Sequence, residues 1–100
     1  MITVHPIESI VSDPEIRAGQ PIVAGTRVRV SDIAAGHIYR GQSPEELAVN
    51  YVLDMGQVYA ALAYYYQHRE EIDAQMRADA EEATALLDAL DDDGKLIRLG

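Results

Sequence analysis

Apolar positions recur at every second residue early in the chain and at every third or fourth residue later. In the stretch from Pro21 to Asp32, Pro21 and Gly25 bracket Ile22 and Val23, while Val28 and Val30 alternate with Arg27 and Arg29. That is the pattern of strands with one buried face. The chain is predicted to reverse at Gly25 and Thr26, giving a strand-turn-strand element that docks on helices and on a second copy of itself. Ser31 is expected to cap a following helix, with Asp32 placed favourably against the helix dipole. Upstream, a short strand is predicted around Ile7 to Ser12. Asp13 and Pro14 close it as a turn-forming pair, and Ala18 to Pro21 form another turn.

From Ser31 onward the period becomes helical. A first helix is predicted to Arg40, stopped by Gly41. Ser43, Pro44 and Glu46 then supply a cap, a proline at the first helical position and a capping-box acid. The second helix ends near Tyr51, with Leu47, Ala48 and Tyr51 on one face. Asp54 and Gln57 repeat the capping arrangement, and Val58, Ala61, Leu62 and Tyr65 follow i, i+3, i+4, i+7 spacing as a buried stripe. The outline is that of a helix-turn-helix bundle.

No Pro or Gly occurs between Gln57 and Asp93, so the third helix is expected to continue unbroken to about Leu90, roughly 50 Å at about 1.5 Å per residue. In this tail Met76, Ala80, Ala83, Leu87 and Leu90 alternate four and three residues apart, and Leu86 widens the seam. The seam is rich in Ala and surrounded by acids, so it is expected to need a surface to lie on. Residues 95–100 read either as a frayed end or as a short strand that pairs on binding. The division expected is a strand-plus-helix domain over residues 1–73 and an acidic, partner-binding tail over 74–100.

Charge sharpens that division. The 100-residue chain has a net charge of -9, with about -2 in residues 1–50 and about -7 in residues 51–100. An acidic tail is repelled by phosphates and drawn to basic surfaces, so a basic protein is the expected partner. The chain has no Cys, Trp or Phe and six Tyr. The lack of Cys excludes disulfides and thiolate metal sites, and the small size favours self-association. Neither a signal-peptide pattern nor a membrane span is seen, and a cytoplasmic location is expected.

Several blocks together resemble the family known as domain of unknown function 433. They are Ser12 to Ile16, Gly19 to Ile22, Gly25 to Val30, Ser43 to Leu47 and Gln57 to Tyr65. The resemblance spans residues 7 to about 73. It implies a mainly α fold in which a three-helix, homeodomain-like bundle follows short β-strands, often as a dimer. It also implies an antitoxin paired with a PIN-like ribonuclease toxin. Ala18, Gln20 and Asp54 depart from the family's usual residues, and the tail lies largely outside the shared region.

No catalytic constellation is found. His5, His37 and His68 fall in different elements, and a calcium loop ending at Gly94 fails at Ala89. No cofactor, metal or small-molecule substrate is expected. The toxin-binding set is therefore Met76, Ala80, Ala83, Leu86, Leu87 and Leu90, with Arg98 or Lys95 reaching the toxin's acidic metal-binding cluster. Dimerisation is assigned to Ile22, Val28, Val30, Tyr59, Tyr64 and Tyr66, since four tyrosines wrap too far around one helix to be buried by it. The alternative is an autoregulator binding operator DNA through Arg27, Arg29, Arg40 and Gln57. It is weakened by the absence of Arg and Lys from Met55 to Gln67. A third reading is a structural dimer with no toxin.

Overall fold

A computed structural model describes residues 1–3 and 9–93 of the chain, with side chains as far as Leu90. The fold is mainly helical. A two-stranded sheet comes first, with β1 (Ile10–Val11) antiparallel to β2 (Ile22–Val23) and Ile10 opposite Val23. Four helices follow: α1 (Val30–Tyr39), α2 (Pro44–Tyr51), α3 (Met55–Gln67) and α4 (Arg69–Asp93). The expected first strand is thus shorter than Ile7 to Ser12, and its Ile7 end lies outside the described residues.

The reversal at Gly25 and Thr26 is present. Gly25 has φ +77°, a conformation that glycine adopts without a Cβ penalty. The Thr26 hydroxyl donates to the Val23 carbonyl at 2.8 Å and accepts from the Val28 amide at 3.0 Å. The returning strand is cut to a single bridge between Ile22 and Arg29, because α1 already starts at Val30.

Ser31 is not the cap of α1. Asp32 does that work by accepting from the Arg29 amide at 3.0 Å. Ser31 lies inside the first turn, buried, its hydroxyl without a hydrogen-bond partner. The other two starts follow the sequence. Ser43 and Glu46 exchange bonds of 3.1 Å, and Asp54 and Gln57 exchange bonds of 2.8 Å. Gly41 ends α1 at φ +64°, and the His37 ring bonds the Gln42 carbonyl at 3.0 Å. Val52 ends α2 in the left-handed region at φ 56°, an unusual place for a β-branched residue.

The core is one cluster. Val23, Val30, Ile33, Ala34 and Leu47 meet Val58, Ala61, Leu62 and Tyr65, the whole stripe predicted on α3. Gly36 lets α2 approach, since a Cβ there would sit 2.7 Å from Leu47 Cδ2.

The unbroken third helix is not found. It breaks at His68, whose φ of -129° and ψ of 38° leave the helical region although the sequence holds no helix breaker there. The His68 ring stacks on Tyr64 at 4.0 Å, and its Nδ1 lies 3.0 Å from the Tyr64 carbonyl. Beyond the break α4 lies against α1 and Ile72 is buried at 3 % exposure. Tyr65, on the near side of the bend, donates from its hydroxyl to Asp73 on the far side at 2.8 Å. Burying an Ile is worth about 2 kcal/mol, an amount that continued helical backbone through one residue does not match.

Candidate interaction surface

Arg29 is the point where α4 is fastened to the bundle. Its guanidinium donates to Asp32 Oδ1 at 2.8 and 3.3 Å, to Gln20 Oε1 at 3.1 Å and to Asp79 Oδ2 on α4 at 3.1 Å. Gln75 holds the other Asp79 oxygen at 2.9 Å, and Arg17 approaches Asp32 at 3.6 Å. The hydrogen bonds with Asp32 raise the Arg29 pKa, burial opposes them, and the charges of Asp32 and Asp79 add to the rise. Two cations and two acids thus leave this cluster electrically balanced. Arg29 is consequently committed inside the protein, and its sequence assignment to a basic DNA-facing patch is corrected. The bond to Asp79 joins residues fifty positions apart, and no local spacing in the sequence marks it.

Beside this clamp, α1 and α4 enclose an open groove of about 480 Å³. Ala35, Met76 and Ala80 supply apolar lining, while Tyr39, Arg40 and Arg77 add a phenol and two cations. Arg40 and Arg77 form no ion pair among the described residues. With Arg29, Asp32 and Asp79, which also line it, the groove carries three cations against two acids in a chain of net charge -9.

Past the groove α4 leaves the bundle. Ile72, Met76, Ala80, Ala83, Leu86, Leu87 and Leu90 share one side of the helix by their i+3 and i+4 spacing. Ile72 is buried and Met76 packs on the core, yet Leu86 and Leu87 are 61 % and 63 % exposed. Ala80 and Ala83 are exposed as well, and Leu90 is partly covered. The chain measures 67 × 27 × 23 Å along its principal axes, an elongation to which the 25-residue α4, about 37 Å long, contributes. Of the predicted toxin-binding residues, then, Met76 belongs in part to the bundle itself and Arg98 and Lys95 lie outside the described residues. The helix also crosses residues 73 and 74 without interruption.

The predicted dimer residues divide in the same way. Ile22 and Val30 are 2 % and 0 % exposed inside their own protomer, so they are core residues and are withdrawn as interface residues. Val28 and Tyr64 pack against the core, and only Tyr59 and Tyr66, with Ala63 between them, form an outward stripe on α3. Of the remaining DNA candidates, Arg27 is exposed with its carbonyl taken by Arg17, and Gln57 is engaged in capping α3. Among the described residues no three His, Cys, Asp or Glu side chains form a metal site. No described helix is long and apolar enough to cross a membrane.

A family profile for a protein of unknown function, DUF433, matches residues 10–65, more than half of the chain. The chain belongs to the DUF433 family. A crystal structure of a DUF433 member from Anabaena variabilis is similar, at 31 % identity and a TM-score of 0.63, with 69 % of this chain and 68 % of that one covered. No curated protein matches. The family match ends at Tyr65, four residues before α4 begins. The small sheet and the first three helices are therefore the DUF433 part, and the clamp at Asp79 and the arm beyond it are attached to that part from outside the match.

Proposed function

We propose that this DUF433 protein is an antitoxin-like docking protein that neutralises a basic partner, a ribonuclease of the PIN-like type, through the distal half of α4. The carrying observation is the exposure of Leu86 and Leu87 on an acidic helix whose own bundle supplies nothing beneath them. Exposed leucines on a helix with so many acids favour an apolar groove with a positive rim, and the helix-in-groove mode uses such anchors. The alternative of operator DNA through a helix-turn-helix is less well supported. From Met55 to Gln67 there is no Arg or Lys, and Arg29 is held by Asp32 and Asp79.

The test is co-purification and ribonuclease inhibition with the product of the adjacent gene. A chain ended after Glu82 retains Ile72, Met76 and Asp79 and should keep its fold while losing the partner. Full inhibition by that shortened chain would overturn the proposal. A gel shift of the protein's own promoter by the isolated protein would move the reading to DNA.

A further inference from the structure

We infer that the arm has a second occupant: in the free protein it lies against the arm of a second copy, the two α4 helices running antiparallel about a twofold axis near Ala83. The inference rests on the proposal above only in taking the arm as the docking element. It supplies a regulation, because the partner then has to exchange with the second copy for the same leucines.

The first support is the order of the seam. Met76, Ala80, Ala83, Leu87 and Leu90 are spaced four, three, four and three residues. Read in the opposite direction from Leu90, the same residues interleave with the first set. Ala83 meets Ala83, Ala80 meets Leu87 of the second copy, and Met76 meets Leu90 of the second copy. Each large side chain lies opposite an alanine or at the outer end, and the alanines at the centre permit close approach of the axes, near the 8 Å end of the usual range. A twofold interface must be self-complementary in this way.

The second support is charge and position. Met76 and Ala80 line the groove between α1 and α4, so this register brings Leu87 and Leu90 of the second copy to that groove. Its cations, Arg40 and Arg77, have no acid partner among the described residues. The same register places Asp88 of the second copy within one residue of facing Arg77. Two chains of net charge -9 repel at a distance, and the antiparallel direction answers this by bringing each acidic distal arm to the other copy's positive surface. A parallel pair would bring acid to acid. The overhang from Ala80 to Leu90 is about 15 Å long, equal to the length of α1 along which the groove runs.

The chain has no cysteine, so single cysteines report the register directly. Under oxidising conditions Ala83→Cys should cross-link to itself, and a mixture of Ala80→Cys with Leu87→Cys should cross-link while Ala80→Cys alone does not, because a disulfide requires Cα atoms about 4.4–6.8 Å apart. Ala78→Cys, on the opposite side of α4, should remain uncrosslinked. In sedimentation velocity the full chain should be a dimer, and Leu87→Glu should weaken it by more than about tenfold with an unchanged circular dichroism spectrum. Arg77→Glu should weaken it about threefold, with recovery in the Arg77→Glu, Asp88→Arg double variant.

A monomer at every concentration overturns the inference, as does self-cross-linking of Ala80→Cys, or a dimer lost in Tyr59→Glu and untouched by Leu87→Glu. A monomer that still binds the ribonuclease through its arm would remove this inference and leave the proposed function standing. An arm-paired dimer indifferent to the ribonuclease would do the reverse.

Discussion

The two halves of α4 have the same kind of sequence and different fates. From Ile72 to Asp79 the helix lies on α1, with Ile72 buried and Asp79 bonded to Arg29. From Ala80 to Leu87 the same stripe continues and every residue is exposed. Helix propensity does not distinguish them, since Ile72 to Asp79 holds two Ala with Gln75, Met76 and Arg77, Ala80 to Leu87 holds three Ala with two Glu and two Leu, and all of these favour helix. What differs is whether the bundle extends beneath. An amphipathic stripe thus tells which side of a helix seeks cover, and the rest of the fold decides whether its own chain provides it.

The sharpest way to break this contrast is to remove one apolar side chain from each half. Ile72→Ala should destabilise the protein by about 2–4 kcal/mol, because the site is enclosed and a cavity remains. Leu86→Ala, at 61 % exposure, should stay within about 0.5 kcal/mol at a concentration low enough to keep the chain monomeric. Urea denaturation of both variants checks this, and similar losses at the two positions would show that the distal half has support within its own protomer.

The polar fastening comes next in size. Arg29→Ala should cost roughly 1–3 kcal/mol, since it leaves Asp79 without a charged donor and Asp32 with only Arg17 at 3.6 Å. Asp79→Ala should cost about 1 kcal/mol, the carboxylate being one-third exposed and screened by solvent. Hydrogen exchange should then locate the loosening in Glu70 to Asp79 and leave α2 protected. Uniform loss of protection would mean that Arg29 holds the bundle and not the helix laid across it.

Most of the bundle could be read from residue order because its signals are local. Ser43 with Glu46, and Asp54 with Gln57, cap their helices within three residues, and the Val58, Ala61, Leu62, Tyr65 stripe needs no knowledge of what it faces. The bend at His68 was not readable, because no residue there forbids a helix. It is settled by Ile72 finding the core, a contact between distant parts of the chain. The same reason hid the Arg29 to Asp79 bond, which joins residues fifty positions apart. The interface assignments of Ile22 and Val30 failed because alternation marks a buried face without saying whether its cover is internal.

Tyr65 ties α3 to the proximal half of α4 and gives that half a pH signature. Burial raises its pKa, and the hydrogen bond to Asp73 raises it further. Below the unfolded value of about 10 the hydroxyl is protonated in both states, so the stabilisation is fully present. Above it the unfolded chain releases the proton while the folded chain retains it, so stability falls as pH rises through the folded pKa. Tyr65→Phe should cost about 1 kcal/mol near neutrality. It should also flatten the loss of stability above about pH 10, measured as the difference between the two denaturation series. Parallel series would mean that Tyr65 is neither buried nor bonded to Asp73 in solution.

The smallest expected effect has the opposite sign and tests whether the proximal half lies where it is described. Ser31 is buried with an unpartnered hydroxyl and borders two grooves, with Met76 and Asp79 along one and Ile72 and Gln75 along the other. Its hydroxyl is thus shut away from water beside the crossing of α4 over α1. Ser31→Ala should raise stability by about 0.5–1 kcal/mol, by removing an unsatisfied polar group and improving helix propensity. If Ser31 capped α1 as its sequence position suggests, the same change should instead cost about 1 kcal/mol. The gain should also depend on α4. In an Ile72→Ala background, where the proximal half lifts more easily and water reaches Ser31, it should shrink, and a double-mutant cycle measures that coupling. A loss of stability in Ser31→Ala, or a gain identical in both backgrounds, would separate Ser31 from α4 and with it the account of why the two halves of one helix behave differently.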